Sequence, residues 1–130
     1  PQMNFLEGTI ENGNFIFEGN RLNLPPDAAE KLKAYHGKEL VMGIRPEQFS
    51  VAKGPGENVI GAVLENQEFL GHYCILYVTA GQSELVCRVD VPEYELKQQV
   101  YIKFEMENIY FFDKETTQLV LYAKVGEEDE

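Results

Sequence analysis

The chain has 130 residues, enough for one domain with a true core and few for two. An apolar fraction of 44% with 12% aromatics excludes wholesale disorder, and no apolar run approaches the roughly 20 residues of a membrane-spanning helix. Eleven basic residues stand against 22 acidic ones, a formal charge of −11, and the basic ones are scattered, which argues against nucleic acid or an anionic membrane surface as partner.

No signal-peptide pattern opens the chain, and a start at Pro1 without methionine is expected of a piece cut from something longer. Asn4 to Glu11 and Asn14 to Glu18 read as strands around Asn12-Gly13, the dipeptide suited to a tight hairpin. Pro25-Pro26-Asp27, with Glu30 three residues beyond Asp27, reads as a capped helix start. The helix is expected over Ala28 to His36, ended by Gly37, covering one end of the β structure. Glu39 to Ile44 is a further strand leading into Arg45-Pro46. The polar run Lys53-Gly54-Pro55-Gly56-Glu57 is the expected joint between two β lobes of a single domain covering residues 1–124.

Val59 to Glu65, Tyr73 to Val78 and Leu85 to Val91 follow as strands, the last two joined by Ala80-Gly81-Gln82-Ser83. Val100, Ile102, Phe104 and Met106 alternate with polar neighbours, the period of a half-buried strand, and Tyr110-Phe111-Phe112 places aromatics near loops. Gln118 to Ala123 closes the set. Residues 125–130 form an acidic tail, expected to be a solvated end, with an interaction motif as the alternative. Short strands with frequent turn signals and one short helix imply a mainly β sandwich or small barrel of antiparallel strands.

A search for chemistry returns absences. Gly54-Pro55-Gly56 begins like a dinucleotide fingerprint but has Val59 at the third glycine position, and Gly37-Lys38 lacks the upstream glycine of a phosphate-binding loop. His36 belongs to the end of the expected helix, where a cation suits the dipole, and His72 has no ligand partner nearby in sequence. Ser50 and Ser83 occupy no nucleophile pattern. Cys74 and Cys87 form no C-x-x-C pair and read as buried, reduced residues, with an oxidised cross-strand pair as the alternative. The residues describe a β domain without visible catalytic machinery, metal site or cofactor site.

Gly43-Ile44-Arg45-Pro46-Glu47 is the most specific string. It resembles the G-I-R-P-E motif in the C-terminal regulatory domains (transport-associated OB-like, or TOBE, domains) of ABC transporter ATP-binding subunits of the maltose and multiple-sugar type. Met3-Asn4-Phe5-Leu6 is similar to the M-N-F-L string with which those domains begin, and Leu70-Gly71 to a leucine-glycine step before a strand. Phe112-Asp113 with Glu115-Thr116 resembles the closing F-D-x-x-T-G string. The matches run in order from Met3 to Ala123. Gln48 and Tyr110 stand where the family often has histidine, and Thr117 where it has the last glycine.

The resemblance implies an OB-like domain that follows an ATPase domain in a parent chain, with ATP and Mg bound there and no cofactor or ATPase activity here. It implies a cytoplasmic subunit on the inner face of the membrane. Its partners would be a second copy, the parent ATPase domain, permease subunits and a regulatory protein. Among the matched residues, Arg45 and Glu47 are expected to hold a loop between the lobes through an ion pair, with ligand binding as the alternative, and Pro46 to fix the angle at which a strand ends. Gly71 is expected to allow a tight turn or a close backbone approach, and Met3 to Leu6 to lie at the interdomain junction. The competing reading is a small-ligand domain sensing an oxyanion, which would need convergent N–H groups, hydroxyls or cations.

Overall fold

A computed structural model describes residues 2–92 and 95–123. The chain begins with strands β1 (Asn4–Glu11), β2 (Asn14–Phe17) and β3 (Asn20–Asn23), then helix α1 (Pro26–Lys31), β4 (Glu39–Ile44) and β5 (Phe49–Ala52). Next come β6 (Val59–Phe69), β7 (Tyr73–Ala80), β8 (Ser83–Asp90), β9 (Gln99–Phe104), β10 (Ile109–Asp113) and β11 (Leu119–Ala123). The mainly β class with one short α-helix follows from the turn and alternation signals. The acidic tail lies outside the described residues.

These elements form two compact units, and neither is one continuous stretch. Among the described residues, the five-stranded unit holds Gln2–Asn4 together with the segment from Arg45 to Glu105; the six-stranded unit holds Phe5–Ile44 and Met106–Ala123. The chain therefore crosses between units after Asn4, Ile44 and Glu105. The expected joint at residues 53–57 lies inside the five-stranded unit, where it links β5 to β6. A polar, Gly- and Pro-rich run marks a surface loop, and composition does not tell a loop within a sheet from a linker between lobes.

The six-stranded sheet has the order β11-β10-β4-β1-β2-β3. Asn12 and Gly13 both take positive φ, +48° and +80°, placing Glu11 opposite Asn14 as a two-residue I′ turn requires. The strand expected over Asn14 to Glu18 is shorter, because Glu18 and Gly19 (φ +50° and +78°) make a second such turn and set Phe17 opposite Asn20. The Asn20 amide braces this turn by donating to the Phe17 and Glu18 carbonyls at 3.3 and 3.1 Å. The apolar positions of these strands alternate, so Leu6, Ile10, Phe15, Phe17, Met42 and Phe111 are buried on one face. Phe15 and Phe111 meet edge to face with centroids 5.7 Å apart.

The helix differs from expectation. It starts at Pro26, with Pro25 preceding it and no side-chain cap, so Asp27 sits in the first turn and not at the cap. Proline at the start has no N–H to satisfy and a preset φ, which makes the capping hydroxyl or carboxylate dispensable. After Leu32 the chain tightens into a 3₁₀ turn over Lys33–Tyr35, and Gly37 follows at φ +79°. The Tyr110-Phe111-Phe112 run, expected near loops, is strand β10, hydrogen-bonded between β4 and β11.

The five-stranded sheet has the order β5-β9-β6-β7-β8, all neighbours antiparallel, with β5 and β8 at its edges. Val100, Ile102 and Phe104 are buried as their alternation predicts, and Phe49 packs edge to face on Phe104 at 4.9 Å. β6 runs past Glu65 to Phe69 through a register shift between Leu64 and Asn66. Ala80 stands opposite Ser83, with Gly81 at φ +62° leading the turn. Among the described residues no helix is long and apolar enough to cross a membrane.

Candidate functional site

The Gly43–Glu47 string straddles one of the chain crossings. Gly43 and Ile44 end β4, Arg45 is extended (φ −79°, ψ 153°), and Pro46–Gln48 form a single 3₁₀ turn before β5. The conformation follows from proline: its ring bars the preceding residue from helical angles and presets its own φ for a turn. The Arg45 carbonyl accepts the Gln48 N–H at 2.9 Å, and the Gln48 carbonyl accepts the Glu105 N–H at 2.8 Å. Pro46 is buried and Glu47 exposed.

The Met3–Leu6 string alternates in burial, and Asn4 has the most specific contact. Its side-chain amide donates to the Val86 carbonyl and accepts the Val86 N–H, both at 2.9 Å. One amide thus presents donor and acceptor to the open edge of β8 as a neighbouring strand would. Asn4 is the one buried polar residue among the described residues.

Phe5, by contrast, is 65% exposed. In the six-stranded unit it meets Phe112 edge to face at 5.9 Å, Phe112 stacks on Tyr110 at 6.3 Å, and Tyr110 on Tyr122 at 4.5 Å. Beyond this aromatic row, Asp113 Oδ1 accepts the backbone N–H groups of Glu115 (2.8 Å) and Thr116 (2.9 Å). The Thr116 N–H and then the Glu115 N–H hold the Asp113 carboxyl below the usual carboxylate range. Lys114 bridges Glu39 at 2.7 Å and Glu7 at 3.3 Å. Thr117, in place of the family's glycine, stands at φ +62°.

A groove of about 760 Å³ opens in the five-stranded unit between the β5 edge and the β8 edge. Glu47, Ser50 and Lys53 line it from one side, His72, Arg88 and Asp90 from the other. The Arg88 guanidinium carbon stands over the Tyr73 ring, 4.1 Å from its centroid, a cation–π contact that favours this placement of the side chain. Ser50 donates to Glu105 Oε2 at 3.1 Å. His72 is presented by a tight turn: the Leu70 N–H bonds the Tyr73 carbonyl at 2.9 Å, and Gly71 takes φ +86° with open space where a Cβ would stand. Gly71 thus serves turn geometry and not a close approach.

Of the groove's charged side chains, sequence reasoning singled out Glu47 only. Lys53 lies within the polar loop run, and Arg88 lies within the strand expected over Leu85 to Val91, with no local pattern to mark either. Cys74 and Cys87 are both buried and free. They sit opposite Val89 and Leu76, a diagonal and not a facing pair, and burial pushes the Cys87 thiol up to about 12. His36 Nδ1 accepts the Asn12 N–H at 3.4 Å in the six-stranded unit. Among the described residues no group of three His, Cys, Asp or Glu could hold a metal ion.

Comparison with known proteins adds the lineage. A family model described as a TOBE domain matches residues 42–112, and one described as the MalK OB fold domain matches residues 1–49. The putative uncharacterized ABC transporter ATP-binding protein YcjV of Escherichia coli K12 is 37% identical over 119 residues, covering 89% of this chain and 33% of that protein. The trehalose/maltose import ATP-binding protein MalK of Thermococcus litoralis is 35% identical over 130 residues (92% and 35%). The multiple sugar-binding transport ATP-binding protein MsmK of Streptococcus mutans is 31% identical over 124 (89% and 33%). The chain thus spans about a third of the length of the relatives it matches. Among solved structures, the cytoplasmic molybdate-binding protein ModG shares the fold at TM-score 0.63 and 14% identity, over 83% of this chain and 94% of its own.

Proposed function

We propose, since the chain belongs to the TOBE-domain family, that it is the non-catalytic regulatory part of the ATP-binding subunit of an ABC importer for sugars, maltodextrin or another oligosaccharide. The observation that carries this reading is the agreement of the family match with three relatives, one named an ABC transporter ATP-binding protein and two named sugar import or transport ATP-binding proteins, that align over about nine-tenths of the chain. ATP and Mg then bind the ATPase domain of the parent protein, and the chain itself needs no cofactor. The parent subunit works at the cytoplasmic face of the membrane, docked on permease subunits through its ATPase domain.

The role is mechanical. Two copies of the regulatory part stay in contact while the ATPase domains open and close. Tethering raises the effective concentration of the partner, so a contact that is weak by itself suffices. The aromatic row of Phe5, Phe112, Tyr110 and Tyr122, exposed at Phe5 and Tyr122 and half-buried between them, is the surface suited to such a contact, since an apolar patch gains most by being covered. A regulatory protein that prefers one of the two dimer conformations would shift the resting population. Sequencing the reading frame upstream of Pro1 tests the assignment. A phosphate-binding loop and an ABC signature are the expected result, and a start codon at Pro1 would overturn it.

A further inference from the structure

We infer that the groove of the five-stranded unit is a binding site for a phosphorylated polyol, in class a sugar phosphate. The argument rests on what three elements bring together. Lys53 follows β5, His72 sits in the β6–β7 turn and Arg88 belongs to β8, so donors from distant parts of the sequence share one concavity. In a chain of net charge −11 such a grouping is local and against the overall field. Arg88 lies against Tyr73, so part of the ordering cost of gripping an anion is met before the ligand arrives.

The rest of the lining narrows the ligand class. Glu47 and Asp90 are acceptors only when ionised, and they would repel a bare dianion that filled the groove. They suit hydroxyl donors instead. Val51, Val91 and Pro92 add accessible apolar surface of the kind that packs on the C–H face of a sugar ring, with Phe49 and Val89 buried behind them. The volume, about 760 Å³, lies within the span usual for small-molecule sites. An anionic end for Arg88, Lys53 and His72, and a hydroxyl-rich body for Glu47 and Asp90, describe one molecule. The assignment stands independently of the importer reading.

The test is a titration of glucose 6-phosphate into the ¹⁵N-labelled chain at low salt, with glucose and inorganic phosphate as separate probes. Saturable amide shifts confined to the surroundings of Lys53, His72 and Arg88 are expected. Affinity should fall about tenfold or more in Arg88→Met, which keeps an unbranched apolar side chain while removing the charged fork that stands over Tyr73. Lys53→Met, at an exposed position, carries the same comparison if Arg88→Met fails to fold. Inorganic phosphate binding as tightly as glucose 6-phosphate would overturn the polyol half of the assignment, and glucose binding as tightly would overturn the anion half. Shifts that do not saturate by about 10 mM, a range in which binding is worth less than roughly 3 kcal/mol, or that survive both substitutions, would overturn the site.

Discussion

Replacing Asn4 by alanine should loosen the β8 edge where the chain leaves the five-stranded unit. The substitution removes two hydrogen bonds of 2.9 Å and leaves the Val86 N–H and carbonyl without those partners. Each such bond contributes about 1 kcal/mol net, and Asn4 is buried, while half-buried Val86 can recover part of the loss from water. The expected cost is therefore about 1.5–3 kcal/mol. Urea unfolding gives the global value, and amide hydrogen exchange at Val86 gives the local one. A loss of about 2 kcal/mol corresponds to roughly 30-fold faster exchange where opening is local.

Asn4→Asp sharpens the test. The aspartate keeps an acceptor for the Val86 N–H but points a second oxygen at the Val86 carbonyl unless it is protonated. Its folded-state pKa should rise above the unfolded value near about 3.9, so its stability relative to the parent is best below that value and declines as the pH rises through the folded pKa. Unchanged Val86 exchange in Asn4→Ala, with stability within about 0.3 kcal/mol of the parent, would refute the reasoning.

Thr117→Gly should stabilise the six-stranded unit by about 0.5–1 kcal/mol in urea unfolding, because relief of a β-branched residue at φ +62° exceeds the entropy that glycine adds to the unfolded chain. Gly8→Ala should cost about 1–3 kcal/mol or more, since a methyl group there runs into the Ile16 carbonyl oxygen and lies 2.6 Å from the Phe15 ring. Gly61→Ala, facing the Gln99 amide at 3.4 Å and the Tyr101 ring at 3.9 Å, should be neutral or slightly stabilising in the same assay. Asp113→Ala should be less stable than the parent at neutral pH. With the parent carboxyl lowered by the Thr116 and Glu115 N–H groups, its advantage is present above the unfolded pKa and fades as the pH falls through the folded one. Unfolding curves of both proteins from pH 7 to pH 2 check this, and a constant gap would refute it.

The sequence by itself determined the local chemistry. Asn12-Gly13 specified a hairpin because only certain residues accept positive φ at two successive positions, and the alternation through Val100, Ile102 and Phe104 specified a strand with one buried face. Pro46 specified an extended Arg45 and a turn after it, and four short strings in order specified the family. The Glu18-Gly19 turn was less legible, since glutamate rarely takes positive φ and the bracing Asn20 lies outside the turn. The β10 strand was hidden because four consecutive apolar residues, Ile109 to Phe112, show no period.

Tertiary structure decided which strands became neighbours. Hydrogen-bond pairing between strands is non-local and the two-residue period does not name its partner, so nothing local placed β10 between β4 and β11, or gave Asn4 to Val86, 82 positions away. The same pairing interleaved two units along one chain and drew Lys53, His72 and Arg88 to one groove. In sequence Lys53 belongs to a polar run, His72 stands beside a turn glycine and Arg88 lies within a strand, and nothing local links them. They become a set only when the edges of a five-stranded sheet bring them to the same concavity.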